Sequence, residues 1–160
     1  MKKYIILVGL IIIVIAIFSS QTYEQQTVVP TLKQILANKP FEEQLKVFEF
    51  TYWGRTISVE ESGYYYFLEF IFRKGSHFCG YGLAALIFYV LYRKLQLRFS
   101  FLLAVVTIFI IACLDEYRQS FIPGRTGIFD DVKIDTAGAI FVIGCFKVIK
   151  RLRKNQNKGV

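Results

Sequence analysis

A single histidine and three cysteines are the only imidazole and thiol donors in this 160-residue chain. One imidazole with no thiol near a carboxylate argues against zinc; the acids could hold a hard cation weakly, but no metal centre and no cofactor is expected. Cys79, Cys113 and Cys145 sit in or at the edge of three different apolar stretches, where packing is their expected role. No disulfide framework is expected, and the redox compartment stays open. A nucleophile elbow, a phosphate loop, a zinc-protease motif and internal repeats are all missing. Acidic residues are missing from whole regions: none of the twelve precedes Glu24, falls between Glu69 and Asp115, or follows Asp135.

The net charge is +8, yet its distribution argues against nucleic acid, and nothing resembles a nucleic-acid-binding fold. Six of the twenty basic residues, Lys147, Lys150, Arg151, Arg153, Lys154 and Lys158, directly follow or close an apolar stretch. Anionic lipid headgroups are the nearest expected partner of such a tail.

Hydrophobic residues make up 54% of the chain and mean hydropathy is +0.43. They are gathered into four blocks almost free of charge: Tyr4 to Phe18, Ser76 to Tyr92, Phe99 to Leu114 and Thr136 to Ile149. Each is shorter than the roughly 20 residues of a full hydrocarbon crossing, so each must borrow polar or aromatic neighbours. The reading is an all-α membrane protein, one domain over 1–160, with four transmembrane helices at about 4–20, 76–92, 99–114 and 131–149. The first block follows Lys2-Lys3 as a signal peptide would, but no register puts small residues at both cleavage positions, so an uncleaved anchor is expected.

Orientation follows from counting Lys and Arg on alternate segments. Two precede the first span, three (Arg93, Lys94, Arg98) separate the second and third, and six close the chain, with no acid among them. The other nine share their segments with all twelve acids, seven in 21–75 and five in 115–135. Both termini, including a basic tail at 150–160, are therefore expected in the cytoplasm, and the two longer loops, 21–75 and 115–135, outside.

That external loop has its own signals. Ser58-Val59-Glu60-Glu61 matches a capping box, which predicts a helix from about Val59 through the aromatic run Tyr64 to Phe72, lying at the membrane interface. Phe48 to Tyr52 alternates ahead of Trp53-Gly54, and Thr56-Ile57-Ser58 follows, which predicts a small β-hairpin. Residues 32 to 48 read as a short amphipathic helix broken near Pro40.

The polar residues able to carry chemistry crowd the external ends of the later spans. Lys74, His77 and Tyr81 are spaced i, i+3, i+7 and line one side of a helix. Ser76, Gly80 and Ala84 form a neighbouring small stripe that would let another helix approach. Asp115 and Gln119 are i, i+4; Asp115 follows its apolar run without a spacer, so a cationic partner such as Lys74 or Arg125 is expected. Pro123-Gly124 ends that helix. Asp131, Asp135 and Gly138 then share a face of the last span. The plainer readings are that Asp130 caps a helix, that Glu116 and Arg118 are solvated rim residues, and that His77 is structural. Against these stands the convergence of residues from three spans at one depth.

At these positions the sequence resembles the VanZ-like family of small bacterial membrane proteins. The resemblance lies in Arg73-Lys74-x-x-His77-Phe78-x-x-Tyr81, in Asp115-Glu116-x-x-Gln119-x-Phe121-x-Pro123-Gly124-Arg125 and in Asp130-Asp131-x-x-x-Asp135-Thr136-x-Gly138. Phe18-Ser19-Ser20-Gln21 and the segment Tyr52 to Glu61 are similar too, leaving 24–45 and the tail outside it. Many relatives have Asn where this chain has Asp135, which changes the charge of the site. The resemblance implies a family named for a member that raises resistance to teicoplanin, a lipid-tailed glycopeptide, and supplies no catalytic assignment. Three functions stay open: protection against such lipoglycopeptides through an external site of Lys74, His77, Tyr81, Asp115, Glu116, Gln119, Arg125, Asp131 and Asp135; an enzyme acting on lipid-linked cell-wall intermediates, with His77 and Asp115 as acid and base; and a scaffold or transporter accessory. The expected partners are the lipid bilayer and a lipoglycopeptide or lipid-linked cell-wall precursor, with no nucleic acid.

Overall fold

The computed structural model describes residues 2–156. Four long helices carry it: α1 (Lys2–Ser19), α6 (Tyr64–Lys94), α7 (Ser100–Gln119) and α8 (Phe129–Gln156). Between α1 and α6 lie the short helices α2 (Tyr23–Gln26), α3 (Val29–Ile35), α4 (Glu42–Leu45) and α5 (Val59–Ser62), with strands β1 (Phe50–Tyr52) and β2 (Arg55–Ile57). Among the described residues α1, α6 and α7 are long and apolar enough to cross a membrane. The fourth expected span forms the helix α8, but its most apolar stretch, 132–149, still holds Lys133, Asp135 and Lys147.

Helices α6, α7 and α8 pack around one core of small and branched side chains. Ala84, Ala85 and Phe88 meet Ala104, Ile108 and Ala112 from α7 and Val132, Ala139 and Ile143 from α8. Helix α1 lies along the outside, where Val8, Ile11 and Ile15 touch this core while Ile5, Ile6, Ile13 and Ile17 face outward. Outward aliphatic side chains suit a lipid solvent, which removes the usual reason to bury them. Cys79 and Cys145 are also on the outer surface and Cys113 is half-buried; all three thiols are free.

The close helix approach expected at Ser76, Gly80 and Ala84 occurs one face away. A Cβ on Gly138 would lie 2.1 Å from the Phe78 carbonyl oxygen, and one on Gly82 would lie 2.8 Å from that of Gly138. The α6 and α8 backbones therefore touch, and only a hydrogen fits between them. Ser76 and Gly80 instead open onto a cavity, with nothing near a Gly80 Cβ.

The hairpin forms as expected. Phe50 pairs with Ile57 and Tyr52 with Arg55, and Trp53 and Gly54 both take positive φ (50° and 70°), the geometry that lets a two-residue turn follow the strand twist. It docks on α6 through Phe50 and Tyr52 against Phe70, with ring centroids 5.8 and 5.2 Å apart. The 32–48 segment is likewise two short helices interrupted around Pro40.

Two expectations need correction. Ser58 does accept from the Glu61 amide at 3.1 Å, but the helix it caps is only the four-residue α5, because Gly63 at φ +81° turns the chain before α6 begins. The aromatic segment is then continuous with the second span rather than a separate interfacial helix: α6 runs unbroken through Gly75-Ser76, and no proline removes a rung of its backbone ladder. The expected basic tail is helical through Gln156 as the end of α8, and Lys158 lies outside the described residues.

Gly138→Ala must push α8 off α6 and is expected to cost about 1–3 kcal/mol. Gly144→Ala, which meets nothing within 4 Å, should leave stability unchanged or raised. Thermal unfolding of both variants in the same detergent checks the contrast.

Candidate functional site

The acidic residues at one end of the bundle find their partners across helices. Asp115, one turn from the end of α7, accepts from Ser19 Oγ (2.5 Å), Tyr81 OH (2.9 Å), Gln119 Nε2 (2.7 Å) and Arg118 Nη2 (3.0 Å). Gln119 also donates to Ser19 Oγ at 2.9 Å, closing the ring. Four donors, one of them a guanidinium, offset the cost of burying this carboxylate. The cation is Arg118, not Lys74 or Arg125, because i, i+3 spacing brings it over Asp115 without leaving the helix. Arg118 reaches on to α1, donating to Ser20 Oγ and, at 3.3 Å, to the Ala16 carbonyl, so it is no detached rim residue.

Lys74, His77 and Tyr81 share a side of α6 as their spacing predicts, and each meets a different carboxylate. Lys74 donates to Asp131, and so does Tyr52 OH from the hairpin. The Lys74 ammonium lies 4.8 Å from the Tyr52 ring centroid and 5.5 Å from that of Phe70. Burial, and then the hydrogen bond to Asp131, push the Tyr52 phenol above its ordinary range, so it stays protonated and donating. Asp130, in the first turn of α8, pairs with Lys133 at 2.6 Å rather than capping the helix.

His77, Glu116 and Asp135 form the third group. His77 Nδ1 stands 3.4 Å from Asp135 Oδ1, and one donor atom of each residue lies within 4.8 Å of the others. Asp135 is fully buried and Glu116 is 5% exposed, so Glu116 is a core residue and not a solvated one. The loop after α7 folds over it: Ile128 N donates to Glu116 Oε2 at 2.9 Å, and Gly127 passes so near the Glu116 carbonyl that a Cβ would overlap it.

Arg125, half-buried on that loop, donates to the Gln21 carbonyl at 3.3 Å. Burial, and then the nearby Arg73 guanidinium, lower its pKa from the ordinary value. Pro123-Gly124 does sit past the end of α7, with Gly124 at φ +75°.

A further carboxylate, invisible to the sequence reading, organises the segment after α1. Glu69 is 4% exposed and accepts from Tyr23 OH and Val28 N, both at 2.9 Å. Arg73 stacks on Tyr23, 4.7 Å from its ring centroid, and lies 3.6 Å from Glu69 Oε1. The strap 20–28 is thereby fastened to α6 and roofs a cavity of about 620 Å³ between α1 and α6. Val14, Ile15, Phe18 and Phe72 line it with apolar side chains, and Glu69, Arg73, His77 and Asp115 with charged or polar ones. The missed residues had weak signals: Glu69 is the lone acid in an aromatic helix, and Ser19 follows an apolar run where a polar side chain is unremarked.

Replacing Glu69 by Ala removes both acceptors of the strap. Amide hydrogen exchange in detergent should then speed up at least about tenfold at Val28, with α7 amides unchanged.

A family model described as VanZ/LLP1 matches residues 4–150. No curated protein and no solved structure matches the chain.

Proposed function

The chain belongs to the VanZ/LLP1 family, and from that premise we propose that it is a four-span protein of the bacterial cell membrane that lowers sensitivity to teicoplanin-like lipoglycopeptides. It acts through an extracytoplasmic polar site at the membrane surface. In this reading 1–160 is one domain, α8 is the fourth span, both termini are cytoplasmic, and the strap, the hairpin and the loop 120–128 face outward. The basic end of α8 then meets anionic headgroups of the inner leaflet.

The observation that carries the reading is the cavity between α1 and α6. Apolar side chains and charged ones line the same cavity, which suits an amphiphile with an acyl tail and an anionic head. Gly80 gives the tail its room, since no neighbour lies within 4 Å of where its Cβ would be. Arg73 is the cation placed for the head: it lines the cavity, and its buried Nη2, 3.6 Å from Glu69 Oε1, makes no hydrogen bond of its own. Lys74 and Arg125 serve the site indirectly, Lys74 by holding Asp131 and Arg125 by tying the loop 120–128 to the strap.

The saturation of Asp115 favours binding over chemistry. A carboxylate that already accepts from four donors, one of them a guanidinium, is a poor proton carrier. It therefore supports a ligand-holding site over an acid-base pair of His77 and Asp115 acting on lipid-linked wall intermediates.

The test is teicoplanin and vancomycin susceptibility in a sensitive Gram-positive host carrying wild type, Gly80→Leu, Asp115→Asn or empty vector, with membrane levels matched by immunoblot. Wild type should protect against teicoplanin selectively. Gly80→Leu, which fills the cavity without touching the bundle core, should abolish most of that protection, and Asp115→Asn should do the same by loosening the Ser19–Tyr81–Gln119 ring. Absence of protection by wild type would overturn the proposal, and full tolerance of both variants would leave a scaffold role instead.

A further inference from the structure

We infer that His77, Glu116 and Asp135 form a binding site for one divalent first-row metal ion, Mn2+ or Zn2+. This rests on the geometry of these three residues and not on the antibiotic reading above. The donors come from three helices: His77 from α6, Glu116 from α7 and Asp135 from α8. Two donors each about 2.1 Å from a shared ion at a tetrahedral angle stand about 3.4 Å apart, and His77 Nδ1 to Asp135 Oδ1 is 3.4 Å. A donor atom of Glu116 lies within 4.8 Å of both.

The second observation is that these atoms have no other occupation. His77 Nδ1, Glu116 Oε1 and both oxygens of Asp135 are buried without a hydrogen-bond partner. Asp135 is fully buried and Glu116 nearly so, and each neighbouring cation is engaged elsewhere: Lys74 with Asp131, Arg118 with Asp115, Arg125 with the Gln21 carbonyl. Once deprotonated, two adjacent buried carboxylates carry the charge that one divalent ion balances, and the imidazole beside them adds a third donor. The Ile128 amide on Glu116 Oε2 holds that carboxylate with Oε1 free, the outer support that ligating carboxylates characteristically have. Mixed imidazole and carboxylate donors select a borderline or hard first-row ion over a thiophilic one. With three protein donors the ion keeps positions for water or for an anionic oxygen of a ligand, and His77 also lines the cavity between α1 and α6.

Spacing along the chain argued against a metal centre because one histidine cannot make a zinc motif by itself. The fold supplies what spacing does not, two carboxylates from other helices.

The experiment is equilibrium dialysis of detergent-purified, chelator-stripped full-length protein against Mn2+ or Zn2+ alone. Bound metal is quantified by elemental analysis, and the Mn2+ sample is also followed by electron paramagnetic resonance. One ion per chain is expected in wild type, with affinity at least about tenfold lower in Asp135→Asn and in Glu116→Gln, and unchanged in Lys133→Gln, which alters an exposed pair near α8's start. Each variant is first required to match wild type in gel-filtration profile and helical circular dichroism. Should Asp135→Asn fail that check, His77→Gln takes its place. Wild type that retains no stoichiometric ion, or variants that bind as tightly as wild type, would overturn the site and leave His77 and Asp135 as a hydrated polar pair.

Discussion

The contact of α6 and α8 at Gly82 and Gly138 sets the spacing of the polar end of the bundle. With the Gly138 backbone against the Phe78 carbonyl, the preceding turns of the two helices are forced into apposition. Asp135 therefore faces His77, and one turn further Asp131 faces Lys74. A side chain at either glycine would separate the helices and lengthen both contacts together. Helix α7 then completes the cluster from the third side with Asp115, Glu116 and Gln119, all buried.

Burying so many ionisable groups is costly in a medium of low dielectric constant, and the bundle meets that cost unevenly. Asp115, Asp131 and Glu69 are each surrounded by donors drawn from distant parts of the chain, and they act as fasteners: Asp115 for α1, Asp131 for the hairpin, Glu69 for the strap. Asp135 and the outer oxygen of Glu116 are left without donors. That asymmetry separates groups whose work is structural from groups kept free for something else.

Much of this was legible in the residues. Helical period placed Lys74, His77 and Tyr81 on one side, and Asp131, Asp135 and Gly138 on another, and both faces meet as that spacing requires. Trp53-Gly54 announced the hairpin through turn chemistry alone. Spacing within one helix says nothing about which residue stands opposite on the next, however. Hence Gly82 escapes notice as the glycine that makes the contact, whereas Arg118, three residues from Asp115 on the same helix, is within reach of spacing and reads instead as a rim residue. Nor could the sequence mark Glu69 as buried, because its acceptors are filled by a phenol and an amide more than forty residues upstream. The boundary between aromatic segment and span was lost for a related reason: composition changes there, but the backbone ladder does not.

The bond between Ser19 and Asp115 joins residues 96 positions apart. A helix made first is thus completed by one made much later: as the chain emerges, α1 enters the bilayer with its terminal hydroxyl facing no mate until α7 has followed. Its own outward aliphatic side chains let it wait there stably, since lipid satisfies them as well as protein does. The outermost helix is thus made before the helix whose buried charge it helps to enclose, and α8 with Asp131 and Asp135 follows later still.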